Sequence, residues 1–222
     1  MQMERTINYN PRADFLVETV QMVSGLLLVL FLWVHMLFVG TVMIGKTTFG
    51  SLASFMETWG SGSRVAHVLS PLDLTIVFLI LVFGMHVGAV MRRMPRQYRE
   101  QKIVWQHATK IHHYDTWSWL FQSITGSAIL LLAAIHVTVV TGFGISPTLS
   151  GTRVHYWGFL IFYAVLLLLS EYHASVGLYR IFVKWGFVKH YRMRTVLEVI
   201  SVLFIVIGAI SLVILYRWGA QV

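Results

Sequence analysis

Residues 31–40 read FLWVHMLFVG, and the imidazole in the middle of that apolar run, His35, decides how the chain is read. A titratable side chain at membrane depth is costly and rare, and by default it marks a functional site. The situation recurs three times. His86 sits in VFGMHVGAVM (82–91), His136 in LAAIHVTVVT (132–141) and His173 in SEYHASVGLY (170–179). Each of the four histidines occupies a different apolar stretch.

The stretches themselves are long. The chain has 222 residues, 57% of them hydrophobic and only 12% charged, with a mean hydropathy of +0.71. A soluble domain carries about a quarter charged residues. Five runs, near 20–45, 71–94, 117–142, 155–183 and 195–217, reach the roughly 20 helical residues that cross a bilayer. The expected fold is all-α: one integral membrane domain over 1–222, a bundle of five transmembrane helices. Pro71 suits the first turn of the second helix, and Gly142, Gly144 and Pro147 end the third. No internal repeat and no low-complexity tract stands out. The first run mixes its basic flank with Asp14 and Glu18 and has no small-residue cleavage site, so it is expected to stay as a spanning helix.

Lys and Arg set the orientation. Arg5, Arg12, Arg92, Arg93, Arg96, Arg99, Lys102, Lys110, Arg180, Lys184, Lys189, Arg192 and Arg194 fall on one side, against Lys46, Arg64, Arg153 and Arg217 on the other. The positive-inside rule places the N-terminus in the cytoplasm and the C-terminus outside. The same clustering beside apolar runs explains the net charge of +8 without nucleic acid. The 95–116 loop mixes charges with Ile103, Val104, Trp105, Ala108 and Ile111, which predicts a short interfacial helix or a docking surface for a cytoplasmic partner. There are no cysteines, which excludes disulfides, iron–sulfur ligation and covalent haem attachment.

Topology gives the histidines depths. His35 and His136 lie past the midpoints of outward-running helices, His86 and His173 past the midpoints of inward-running ones. A flat cofactor with two axial imidazoles needs both at one depth, so the expected pairs are His35 with His136 and His86 with His173. At about 1.5 Å per residue the two levels stand roughly 10–15 Å apart, a workable electron-transfer distance. Imidazole is a haem-iron ligand and helix bundles hold such cofactors between facing helices. The simplest reading is a dihaem cytochrome b. Gly84 and Gly88 beside His86, Gly25 before His35 and Gly126 before His136 allow close approach of a macrocycle, or of another helix. Zinc needs further close ligands, and no H-E-x-x-H or similar set is present. His67, His107, His112, His113, His155 and His190 fall near helix ends or in loops, where solvated or interfacial roles are expected.

Five spans, one histidine in each of the first four, and the local sequences SEYH (170–173) and GMHVG (84–88) resemble the dihaem cytochrome b anchor of quinol:fumarate reductases and succinate:quinone reductases, in the version with a single five-helix subunit. The resemblance covers nearly the whole chain. It implies a flavoprotein subunit and an iron–sulfur subunit docked on the cytoplasmic side, two haem b groups, and menaquinone or menaquinol as the membrane substrate. It also implies a dimer of heterotrimers in a bacterial cytoplasmic membrane, serving anaerobic respiration. The haem of His86 and His173 would be proximal to the iron–sulfur subunit and that of His35 and His136 distal. Gln21, Trp119 and Lys184, near the inner face, are assigned to proximal propionates, and Arg153, at the outer start of the fourth helix, to distal ones.

Glu57, in the first outer loop, resembles the family's proton-accepting carboxylate at the outer quinol site, a role that suits a group beside a hydroxyl that must shed its proton. Glu171, buried two residues before His173, must be neutral or paired at that depth, and the resemblance assigns it to a proton relay. Asp73 reads as a favourable charge at a helix N-terminus. The closest alternative is the cytochrome b subunit of a formate dehydrogenase or hydrogenase. The one-per-helix register favours the fumarate reductase type. A haem-free proton-coupled transporter is the second alternative. Such proteins often carry inverted repeats and broken helices, neither of which is visible here.

Overall fold

The computed structural model describes residues 11–58, 70–92, 94, 95, 97–111, 114–186 and 190–221. Arg5, Arg64, Arg93, Arg96, Lys189, His67, His112 and His113 lie outside the described residues, as do the side chains of His190 and Arg192. Among the described residues there is no strand. Helices α1 (Pro11–Gly40), α3 (Pro71–Met91), α5 (Tyr114–Phe143), α7 (Trp157–Lys184) and α8 (His190–Gly219) are long and apolar enough to cross a membrane. The chain is a multi-pass membrane helix bundle.

Helix ends extend past the apolar runs because a helix does not stop where the hydrocarbon does. α1 is helical from Pro11, well before residue 20, and ion pairs tether its polar first turns to neighbours. Asp14 meets Arg92 at the end of α3, and Glu18 meets Lys184 at the end of α7, each at 2.7 Å. At the other end α1 gives way to a single 3-10 turn, Thr41–Met43, and then to Gly45 at φ 146°, a conformation that favours glycine.

The structure corrects the reading of the outer connections as tight loops. Two of them fold as helices, α2 (Lys46–Thr58) and α6 (Pro147–His155). Glu57 therefore stands on the last turn of α2, not in a loop. Arg153 stands on α6, separated from α7 by a break at Tyr156, whose ψ of 114° leaves the helical region. Local chemistry explains these starts. Ser146 caps α6 by accepting from the Leu149 amide at 3.1 Å, with Pro147 in the first position. Before α3, Ser70 and Asp73 form a reciprocal capping box. The Ser70 hydroxyl accepts from the Asp73 amide at 3.1 Å, and the Asp73 carboxylate accepts from the Ser70 amide at 3.0 Å. On the opposite side, residues within the 95–116 connection form α4 (Tyr98–Ile111).

α1 packs along α3, α5 along α7, and α8 against α7 and α1. Small residues set the closest approaches. A Cβ at Gly208 of α8 would stand 2.7 Å from Leu167 and 2.8 Å from Met36. A Cβ at Gly151 of α6 would stand 3.0 Å from the Gly219 amide. The end of the bundle that carries α2 and α6 is closed by Val42, Phe49, Val154 and Leu215, with Phe38 and Trp218 packed against them. Val199, Val202 and Leu203 on α8, like Leu30 and Val34 on α1, are exposed apolar side chains, the surface a bilayer covers.

Candidate functional site

The four intramembrane histidines meet in twos. His35 of α1 and His136 of α5 face each other with ring centroids 5.9 Å apart and planes inclined at 67°. His86 of α3 and His173 of α7 lie close enough to interact electrostatically. Each pair joins helices from different close-packed couples, since α1 is coupled to α3 and α5 to α7. The imidazoles thus reach between the two couples, which also meet where α1 packs against α7. Among the described residues, no three or more His, Cys, Asp or Glu side chains gather in one place.

The outer pair is framed by aromatic rings. His35 stacks between Phe31 (5.6 Å) and Phe38 (6.4 Å), and His136 meets the edge of Tyr163 at 5.5 Å. The His136 Nδ1 is buried and has no hydrogen-bond partner among the described residues. Arg153 donates to the Gly144 carbonyl at 2.5 Å.

The inner pair is framed by a feature that sequence reading missed. Ser24 Oγ lies 3.1 Å from His86 Nδ1, and Thr125 Oγ1 lies 3.1 Å from His173 Nδ1. The glycine after each hydroxyl carries the ring. A Cβ at Gly25 would stand 3.2 Å from His86 Cε1, and one at Gly126 would stand 2.9 Å from His173 Cε1. Gly25 and Gly126 therefore serve the inner histidines and not the ones further along their own helices. The Gln122 side chain donates to the His173 carbonyl at 2.9 Å.

The signal was present in the sequence. QMVSG (21–25) and QSITG (122–126) each precede a histidine by the same nine residues, giving Q-x2-[ST]-G-x9-H twice. This corrects the expectation that the chain holds no repeat. Four defined positions scattered through apolar helices leave no trace in hydropathy.

The other predicted residues are placed as follows. Lys184 is in its ion pair with Glu18, one turn before Gln21. Trp119 stands on the first turns of α5, one turn before Gln122. Glu57 accepts from the Ile145 amide at 2.5 Å, which fastens α2 to the joint between α5 and α6. Glu171 is fully buried but turned toward α8, where Ser201 donates to its Oε2 at 3.3 Å. Its Oε1 has no partner among the described residues.

This donor set suits a flat cofactor taken between two imidazoles at each level. The glycines leave room for rings at the inner level, and the unpartnered His136 nitrogen and the surrounding aromatics suit the outer one.

Residues 98–213 match the family described as "Succinate dehydrogenase/Fumarate reductase transmembrane subunit". Among curated relatives, a fumarate reductase cytochrome b subunit of Helicobacter pylori is 34% identical over 204 residues, 89% of this chain and 77% of the relative. The same subunit from a second Helicobacter pylori strain is 33% identical over the same shares. A fumarate reductase cytochrome b subunit of Wolinella succinogenes is 33% identical over 172 residues, 75% of this chain and 65% of the relative.

Proposed function

The chain belongs to the succinate dehydrogenase/fumarate reductase transmembrane-subunit family, as a cytochrome b membrane anchor, and from that premise we propose that it holds two b-type haems and works as the quinol-reactive subunit of a quinol:fumarate reductase. The observation that carries the reading is the meeting of four intramembrane histidines in two pairs, His35 with His136 and His86 with His173, across the two helix couples. When bound, the haems supply one-electron carriers along the path between a menaquinol and the iron–sulfur subunit.

The chain's own residues do the rest. His35 and His136 hold the distal group, His86 and His173 the proximal one. Gln21, Trp119 and Lys184 stand where they can bind proximal propionates, and Arg153 distal ones. Glu57, at the outer end, takes a proton from the quinol hydroxyl. Glu171, with one carboxylate oxygen unpartnered, is assigned to a proton relay between α7 and α8. The basic side, with α4, faces the cytoplasm of a bacterium and receives the iron–sulfur and flavoprotein subunits, and the complex pairs as a dimer of heterotrimers. No dicarboxylate site is assigned to this chain.

The test is a haem count on the purified complex by pyridine haemochrome, with a reduced-minus-oxidised spectrum. Two b-type haems per chain are expected. Their absence, in cells that make haem, overturns the reading and returns the four histidines to a proton-coupled transporter.

A further inference from the structure

The hydroxyls at Ser24 and Thr125 settle a chemical question about the inner histidines. A hydroxyl has one proton to donate and two lone pairs to accept with. Ser24 Oγ donates to the Val20 carbonyl of its own helix at 2.6 Å. Thr125 Oγ1 donates to the Phe121 carbonyl at 2.8 Å. With each proton on the shorter of these contacts, the oxygen accepts at its 3.1 Å contact with an imidazole Nδ1. In that arrangement both inner histidines carry their proton on Nδ1. A neutral imidazole has one protonated and one bare nitrogen, so Nε2 is left with its lone pair free.

We propose that Ser24 with Gly25, and Thr125 with Gly126, are positioning residues that fix the tautomer and ring placement of His86 and His173 for metal binding. The inference rests on the dihaem reading above. It adds a division of labour within the repeat: α1 and α5 each supply one distal ligand and the hydrogen-bond acceptor for one proximal ligand. Both levels are thereby tied to the same two helices. Acceptance of the Nδ1 proton raises the ring's basicity and favours the oxidised iron, so the hydroxyls hold the proximal potential down.

The test is the double variant Ser24→Ala, Thr125→Val in the full complex. It is read by potentiometric titration of both haems and by electron paramagnetic resonance of the oxidised form. Two haems per chain are expected, with the proximal midpoint potential and low-spin signal shifted, the potential upward, and the distal ones unmoved. Ser24→Thr and Thr125→Ser keep a hydroxyl and are expected to match the wild type. If the double variant does not assemble, each single variant is expected to give part of the shift. An unmoved proximal potential overturns the inference, and so does an equal movement of both haems. A wild-type complex with no haem instead overturns the reading on which the inference rests.

Discussion

Glu57 accepts a hydrogen bond from the amide of Ile145 at 2.5 Å, joining the end of α2 to the chain between α5 and α6. The carboxylate therefore has a structural duty beside any chemical one, and substitutions can part the two.

Glu57→Gln keeps an acceptor for the Ile145 amide but removes the base. The complex is expected to assemble with both haems and to lose quinol oxidation by ten-fold or more. Glu57→Leu is expected to lose the same activity and to cost about 1 kcal/mol of stability besides, because the amide is left without that partner. Quinol-oxidation assays beside thermal denaturation check both. Full activity in Glu57→Gln would remove the proton-acceptor role.

Gly126 is the tighter of the two glycine seats. Its added Cβ would stand 2.9 Å from His173 Cε1, against 3.2 Å between Gly25 and His86. A ligating imidazole cannot swing away without leaving its metal. Gly126→Ala is expected to lower proximal haem content markedly, and Gly25→Ala only slightly. Haem stoichiometry and the reduced spectrum of each variant measure the difference, and equal effects would contradict the geometry.

Lys184 and Glu18 form a half-exposed ion pair at 2.7 Å, so breaking it is expected to cost less than about 1 kcal/mol. Its electrostatic effect is sharper. Lys184→Met removes a cation beside the proximal level, which favours the oxidised haem and lowers the proximal midpoint potential. Glu18→Gln leaves the cation uncompensated and raises it. Redox titration of the two variants is expected to show opposite signs. Identical potentials would mean that Lys184 is only a positive anchor.

Glu171 faces Ser201 across the α7–α8 contact, and Gln in its place can accept the same hydrogen bond. Glu171→Gln is expected to assemble with two haems and normal potentials while turnover falls several-fold. Normal turnover with normal assembly would reduce Glu171 to a packing residue.

Much of this protein was legible in one dimension. The five spans follow from the length of the apolar runs, and the structure has five helices long and apolar enough to cross a membrane. Asp73 was read as a helix-start charge, and it completes the capping box with Ser70. Other features were not legible from hydropathy. The connections around Glu57 and Arg153 looked like loops because their residues are only moderately apolar. They fold as α2 and α6 because Phe49 and Val154 find a shared core with Val42 and Leu215. Gly25 and Gly126 were read as room for a macrocycle or another helix, and the side chains that lie over them are His86 of α3 and His173 of α7.

The sequence by itself determined the class, the number of apolar spans and the four histidines within them. Those properties depend on run length and on rise per residue, which need no knowledge of neighbours. Only the tertiary structure decided which side chain each imidazole nitrogen meets, why Ser24 and Thr125 matter, and that Glu171 turns toward α8. These depend on the angle at which each helix presents its faces, and on contacts between residues 62 and 48 positions apart. Such pairings are set by the packing of the whole bundle and leave no periodic mark on any one strand of text.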